Sequence, residues 1–226
     1  MHYGYYPGCS LTGSARKLDR GVRTLFKMLG HSLTEIPEWN CCGALEYGDR
    51  NKLVDLSREN LRKAEGVCSE IVAPCPACYR NLKEANSDKK LVIRNPLELV
   101  ERDSLASLDA RRDLRGMVFT PYYGCVLMRP EDTAIKNGNV MEETIAFFGG
   151  DIEGEKVRDR CCGGNLFFAN REATEKLSML IMERSRGIVV VFCPLCHMAL
   201  TTFSSGRKIV YFTDVILYLT GNNRSL

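Results

Sequence analysis

Long apolar runs are missing from this 226-residue sequence. The longest, Ile188 to Cys193, falls far short of the ~18 consecutive apolar residues that a membrane span needs. Met1-His2-Tyr3 also lacks the basic then apolar opening of a secretory signal, so a cytoplasmic location is expected. Surplus charge is missing too. Thirty-one Lys and Arg against 28 Asp and Glu leave a formal net charge of +3, too mild and too evenly spread for a nucleic-acid surface. There is no low-complexity tract, no glycine-rich dinucleotide fingerprint between a strand and a helix, and no ferredoxin-type run of four cysteines. What remains is an ordinary globular composition, 45% hydrophobic and 26% charged, enough to bury a core in one domain or two small ones.

Cysteine, by contrast, is abundant: eleven residues. A chain of this size needs no disulfides for stability and the count is odd, so metal ligation in a reducing compartment is the first reading. Ten of the eleven form a repeat. Cys9, Cys41-Cys42-Gly43 and Cys75-Pro76-Ala77-Cys78 are answered by Cys125, Cys161-Cys162-Gly163 and Cys193-Pro194-Leu195-Cys196, at offsets of 116, 120 and 118 residues. Short insertions alone separate the copies, which marks a duplicated metal site.

The intervening sequence alternates. Tyr3–Tyr6, Leu33–Ile36 and Ile71–Ala73 read as strands, and Ala15, Leu18, Val22, Leu25 and Leu29 recur at helical spacing, as does the stretch Leu53–Ala64. Leu91–Ile93 and Pro96–Arg102 close the half. The second half repeats the plan, with strands at Met117–Thr120 and Ile188–Phe192 and helices over Thr133–Phe148 and Ala173–Arg184. Such alternation predicts an α/β fold of two pseudo-symmetric repeats, each a small parallel sheet with flanking helices and its cysteine loops at the strand ends. The repeats are expected at residues 1–110 and 111–226, joined by a charged bridge over Asp103–Arg115, with a loose polar end from Gly221.

A single C-x-x-C serves zinc sites, redox dithiols and iron-sulfur clusters alike. Five cysteines per copy select more sharply. Structural zinc takes four ligands and a regular cubane cluster also takes four thiolates, so neither explains a fifth. Soft thiolates in that number favour a multinuclear iron site over zinc. Two zinc sites with a spare cysteine each, or buried cysteines acting as small hydrophobes, are the plainer alternatives. A zinc-binding interaction protein would be colourless.

Tyr6-Pro7-Gly8-Cys9, Asn40-Cys41-Cys42-Gly43, Cys75-Pro76-Ala77-Cys78, Tyr123-Gly124-Cys125 and Cys161-Cys162-Gly163-Gly164 resemble the CCG (cysteine-rich) domain family, in the layout of heterodisulfide reductase B chains. The resemblance covers nearly the whole chain. It implies an oxidoreductase of anaerobic metabolism with two noncubane [4Fe-4S] clusters. One would be held by Cys9, Cys41, Cys42, Cys75 and Cys78, the other by Cys125, Cys161, Cys162, Cys193 and Cys196. It further implies reductive cleavage, between the clusters, of the disulfide of coenzyme M and coenzyme B, with electrons arriving from a flavoprotein (the reductase's A component) through an iron-sulfur protein (its C component). The stretch between Cys78 and Cys125 is short for such a protein, which leaves the natural disulfide or thiol substrate open. Other relatives serve electron bifurcation, lactate oxidation or quinone-linked dehydrogenases, so an electron relay with no disulfide substrate is the alternative function.

Outside the cysteines, Arg80, Arg158 and Arg160 are candidates to attract an anionic substrate or to offset cluster charge, against the alternative of solvated loop charge. His197, next to Cys196, is a candidate proton donor, against a helix-surface role. His31 is expected to be structural and Cys68 to have no role. Gly43, Gly163 and Gly164 suit close backbone approach to a cluster. Pro76 and Pro194 suit the first position of a helix whose positive end faces an anionic group.

Overall fold

A computed structural model describes residues 1–44, 49–100, 105, 107–154 and 157–226 of the chain. Short β-branched runs set its sheets. Ile71, Val72 and Ala73 in the first half, and Val189, Val190 and Val191 in the second, are buried throughout, the near-continuous apolar pattern of parallel strands covered on both faces. The chain divides into two compact units, Met1–Leu99 and Val100–Leu226.

In the first unit β1 (His2–Tyr5), β2 (Ser32–Glu35), β3 (Glu70–Val72) and β4 (Val92–Arg94) form a parallel sheet in the order β2-β1-β3-β4. Gly4 sets the register, pairing with Thr34 on one side and Ile71 on the other. In the second unit β5 (Val118–Tyr122), β6 (Asp151–Ile152), β7 (Ile188–Val191) and β8 (Ile209–Tyr211) repeat it, in the order β6-β5-β7-β8. The α/β architecture of two parallel-sheet repeats is the one expected. In each sheet the chain leaves the first strand for one edge and returns past it to the third. The crevice beyond the carboxyl ends of those two strands is a topological switch point, where open α/β sheets take their ligands.

Helices of the first unit are α1 (Gly8–Thr12), α2 (Arg16–Met28), α3 (Arg50–Ala64) and α4 (Pro76–Ala85). Those of the second are α5 (Cys125–Met128), α6 (Val140–Phe147), α7 (Arg171–Arg184), α8 (Pro194–Thr202) and α9 (Phe212–Leu219). Their burial follows their periodicity. Leu18, Val22, Leu25 and Phe26 of α2 lie fully out of water, each contributing roughly 1.5–3 kcal/mol by transfer. Asp49 caps α3 by accepting from the Asn51 N–H, and Asn170 caps α7 by accepting from Ala173.

Three expectations differ from the structure. The helix expected over Thr133–Phe148 spans only Val140–Phe147, because Asn137 accepts from the Asn139 N–H at 3.1 Å, a local turn that competes with helix. β6, β8 and α9 have no counterpart in the sequence reading; the two residues of β6 are too few to show alternation. The end from Gly221 is tied down: the Gly221 and Asn223 N–H groups donate to Tyr218 and Leu217, and Arg112 donates to the Asn223 carbonyl. Of the bridge expected over Asp103–Arg115, residues 103, 104 and 106 lie outside the described residues, as do residues 101 and 102 of the closing segment Pro96–Arg102. Arg111 and Arg112 donate to the Leu219 carbonyl, and Leu114 to that of Phe148.

Candidate metal centre

Strand ends deliver the cysteines. Cys9 lies in the first turn of α1, after β1, and Cys75 is the residue before α4, after β3, so both stand at the switch point of the first sheet. Cys125 and Cys193 hold the same places after β5 and β7. Pro76 and Pro194 are the first residues of α4 and α8, where proline forfeits no hydrogen bond. Each helix therefore turns its positive end toward its C-x-x-C sulfurs. The adjacent pairs Cys41-Cys42 and Cys161-Cys162 arrive on loops after β2 and β6.

All eleven cysteines are free thiols. The sulfurs of Cys42 and Cys78 stand 3.2 Å apart and those of Cys162 and Cys196 3.3 Å apart. Further thiols act on one another's ionisation, Cys9 with Cys41, Cys41 with Cys42 and Cys78 with Cys75 in the first unit, and Cys125 with Cys161 and Cys196 with Cys193 in the second. Backbone N–H groups join in: Gly43 donates to Cys41 at 3.5 Å, Gly163 to Cys161 at 3.4 Å and Gly164 to Cys162 at 3.4 Å. Two of the five in the first unit, Cys9 and Cys41, are exposed, whereas Cys42, Cys75 and Cys78 are buried. In the second unit Cys125 and Cys161 form the half-exposed edge.

So many thiols cannot ionise together. The hydrogen bond with Cys41, and then burial, push Cys9 up, while bonds with Cys42 and Cys9 draw Cys41 down. Contact with Cys42 and Cys75 raises Cys78 well above the thiol range, and Cys75 is lowered in return by Cys78. Cys161 is lowered to about 6, first by its bond with Cys125, with the Gly163 N–H and the Arg129 charge acting against burial. Cys41 and Cys75 are lowered while Cys9, Cys42 and Cys78 are raised, because each anion is stabilised at its neighbours' expense. A cationic metal group relieves that conflict by holding every sulfur as thiolate.

Glycine shapes the cradle. A Cβ at Gly8 (φ +68°) would stand 2.9 Å from the Cys78 sulfur, and one at Gly124 (φ +78°) 3.0 Å from that of Cys196, so only glycine lets the turn after each first strand approach its C-x-x-C motif. A Cβ at Gly164 would meet the Leu195 carbonyl at 2.8 Å. Donor set, N–H groups and glycine cradle fit a thiolate-bound iron-sulfur group. Among the described residues, no three His, Cys, Asp or Glu side chains are grouped as ligands of a single metal ion would be.

Some supporting residues escaped the sequence reading. Tyr6 donates to the Asn40 carbonyl at 2.5 Å and Tyr122 to the Arg160 carbonyl at 2.6 Å, so in each unit a buried tyrosine three residues before the first cysteine holds the residue before the cysteine pair. Ser57 donates to the Cys42 carbonyl and Ser178 to that of Cys162, both at 3.0 Å. The signal was present: each tyrosine and serine stands at the same or nearly the same distance from the cysteines in both copies.

The remaining candidates divide. Arg80 is engaged with Glu84 at 2.7 Å. Arg158 bonds Asn139 at 2.8 Å, lies 3.6 Å from Glu142 and covers the Tyr123 ring, while its carbonyl accepts from the Tyr123 and Gly124 N–H groups. It therefore shapes the turn before Cys125. Arg160 lines a cavity that reaches Cys161. His197 stacks on Tyr211 with ring centroids 4.2 Å apart, and His31 packs edge-on against Tyr3 and Phe26. Cys68 fills the space above Gly4, where a Cβ would lie 2.3 Å from its sulfur.

Comparison with known proteins agrees with the duplication. The profile of the cysteine-rich domain family (CCG) matches residues 3–83 and again residues 119–201. The chain is 22% identical to the 8-methylmenaquinol:fumarate reductase membrane anchor subunit of Wolinella succinogenes, over 91% of this chain and 84% of that one. It is 23% identical to the B chain of the ferredoxin/F(420)H(2)-dependent CoB-CoM heterodisulfide reductase of Methanosarcina acetivorans, over 85% and 77%. Among solved structures, an aspartate racemase from Picrophilus torridus covers 97% of this chain and 94% of its own at 9% identity, with a TM-score of 0.41, too distant to bear on function. Among the described residues no helix is long and apolar enough to cross a membrane.

Proposed function

Because this chain belongs to the CCG cysteine-rich domain family, we propose that it is the iron-sulfur catalytic subunit of a heterodisulfide reductase-like complex. Its substrate is a small disulfide, the coenzyme M–coenzyme B heterodisulfide or an analogue. The observation that carries the reading is the contact of Cys42 with Cys78 and of Cys162 with Cys196, with glycine N–H groups donating to Cys41, Cys161 and Cys162. In this reading residues 1–110 and 111–226 are the two repeats. Cys9, Cys41, Cys42, Cys75 and Cys78 hold one noncubane [4Fe-4S] cluster, and Cys125, Cys161, Cys162, Cys193 and Cys196 the other. The heterodisulfide reductase relative supports it; in this reading the chain assembles with an iron-sulfur protein and a flavoprotein like the reductase's C and A components, which deliver the electrons.

When bound, the clusters supply single electrons and soft iron sites for sulfur. The chain does the rest. Buried Cys42, Cys75 and Cys78, and their counterparts Cys162, Cys193 and Cys196, form the dry side of each site, and the more open Cys9–Cys41 and Cys125–Cys161 edges are where a disulfide arrives. Glycine N–H groups stabilise thiolate at Cys41, Cys161 and Cys162. Over the cycle one S–S bond breaks, and two electrons and two protons convert the disulfide into two thiols.

Iron, sulfide and electron paramagnetic resonance on anaerobically purified protein test this. About eight irons per chain, with a signal altered by added thiol, are expected. Zinc without sulfide would overturn the reading. Cys42→Ser and Cys162→Ser should each abolish disulfide reduction, and full activity after loss of both clusters would exclude it. The fumarate reductase relative favours a second reading, an electron relay with no disulfide substrate. A relay shows the same iron with no spectral response to disulfides.

A further inference from the structure

The two copies part company beside the cysteine pair. Ser57 of α3 and Ser178 of α7 make the same bond to the second cysteine's carbonyl, which places Asn60 opposite Ile181, Glu59 opposite Leu180 and Asn40 opposite Arg160. In the first unit polar side chains span the space between the cysteine loop and α3. Asn60 donates to the Asn40 carbonyl at 3.0 Å and accepts from its N–H at 2.8 Å, Asn40 donates to the Leu56 carbonyl at 3.1 Å, and Lys63 donates to the Asn40 side chain at 2.9 Å. In the second unit Leu180 and Ile181 can make no such bonds. A cavity of about 360 Å³ opens there, walled by Leu177, Leu180 and Ile181 on one side and by Arg129, Arg160 and Cys161 on the other.

Two guanidinium groups and one carboxylate, Asp159, give the polar wall a net positive charge. Arg129 is anchored through one edge, its Nη2 donating to the Asp159 carbonyl at 2.6 Å, and its charge acts on the Cys161 sulfur. The volume is at the small end of ligand pockets, and the apolar wall suits a short aliphatic chain. We propose that this cavity binds the anionic end of a small organic thiol or disulfide, a carboxylate or sulfonate held by Arg129 and Arg160, with its short chain on Leu177, Leu180 and Ile181 and its sulfur directed to Cys161. The sulfur's fate rests on the disulfide-reductase reading, whereas anion binding does not. The duplicated sites are then unequal, and the second unit selects the substrate.

Calorimetric titration of the whole protein with 3-mercaptopropionate and with neutral 3-mercapto-1-propanol tests this, at low and high salt. The acid should bind at least tenfold more tightly than the alcohol, with the preference shrinking in salt, as a charge-driven contact requires. Arg129→Gln and Arg160→Gln should each weaken the acid about tenfold and leave the alcohol unchanged. Leu180→Asp, which keeps both arginines but places a repelling carboxylate in the apolar wall, should weaken the acid by at least tenfold more than the alcohol, and Arg58→Gln in the first unit should change nothing. Iron content of each variant checks the fold; if Arg129→Gln loses iron, Arg160→Gln and Leu180→Asp decide. Equal affinity for acid and alcohol, or binding indifferent to those variants, overturns the proposal. Disulfide reduction without an anion preference sinks this inference and spares the enzyme reading; arginine-dependent anion binding without reduction does the reverse.

Discussion

Single atoms decide much at the residue scale. The serines that reach the cysteine carbonyls are fully buried, so Ser178→Ala removes the donor to the Cys162 carbonyl at about 1–3 kcal/mol, whereas after Ser57→Ala the Cys42 carbonyl keeps the bond that Asn81 donates at 3.0 Å, and the loss should be smaller. Urea denaturation should show that loss, together with faster release of iron. Gly124→Ala asks more, because a Cβ there combines a positive φ with a contact 3.0 Å from the Cys196 sulfur. About half of the iron should disappear from that variant, since the strained turn displaces Cys125; unchanged iron would show that the turn relaxes freely. Gly8→Ala is the matched experiment on the first unit, against Cys78.

At the scale of elements, the parallel strands present sulfur while the helices behind them carry the stability. Leu25 is fully buried in the stripe of α2 against the first sheet. Leu25→Ala is expected to cost about 2–5 kcal/mol, and hydrogen exchange should place the lost protection in residues 1–99. The C-x-x-C motifs were legible as helix starts because proline needs no N–H partner at the first position. The helix expected from Thr133 was shortened by an asparagine turn that periodicity alone does not register.

For the whole molecule, duplication is the governing fact. Each unit has its own parallel sheet and apolar core, so removing the metal by anaerobic chelation should leave the far-ultraviolet circular dichroism largely intact while lowering the melting temperature. Collapse of secondary structure on chelation would instead mark a metal-nucleated fold. The sequence by itself determined the repeat, the α/β alternation and the thiol chemistry, because cysteine spacing and apolar period are local properties that survive without a third dimension. Only the tertiary structure decided which other residues attend the cysteines. Tyr6 reaches Asn40 across 34 residues and Tyr122 reaches Arg160 across 38. The cavity beside Cys161 is walled by Ile181, at the position where the other copy has Asn60 bonded to the Asn40 carbonyl. Contacts of that kind depend on how strands and helices pack, and packing has no signature in linear spacing.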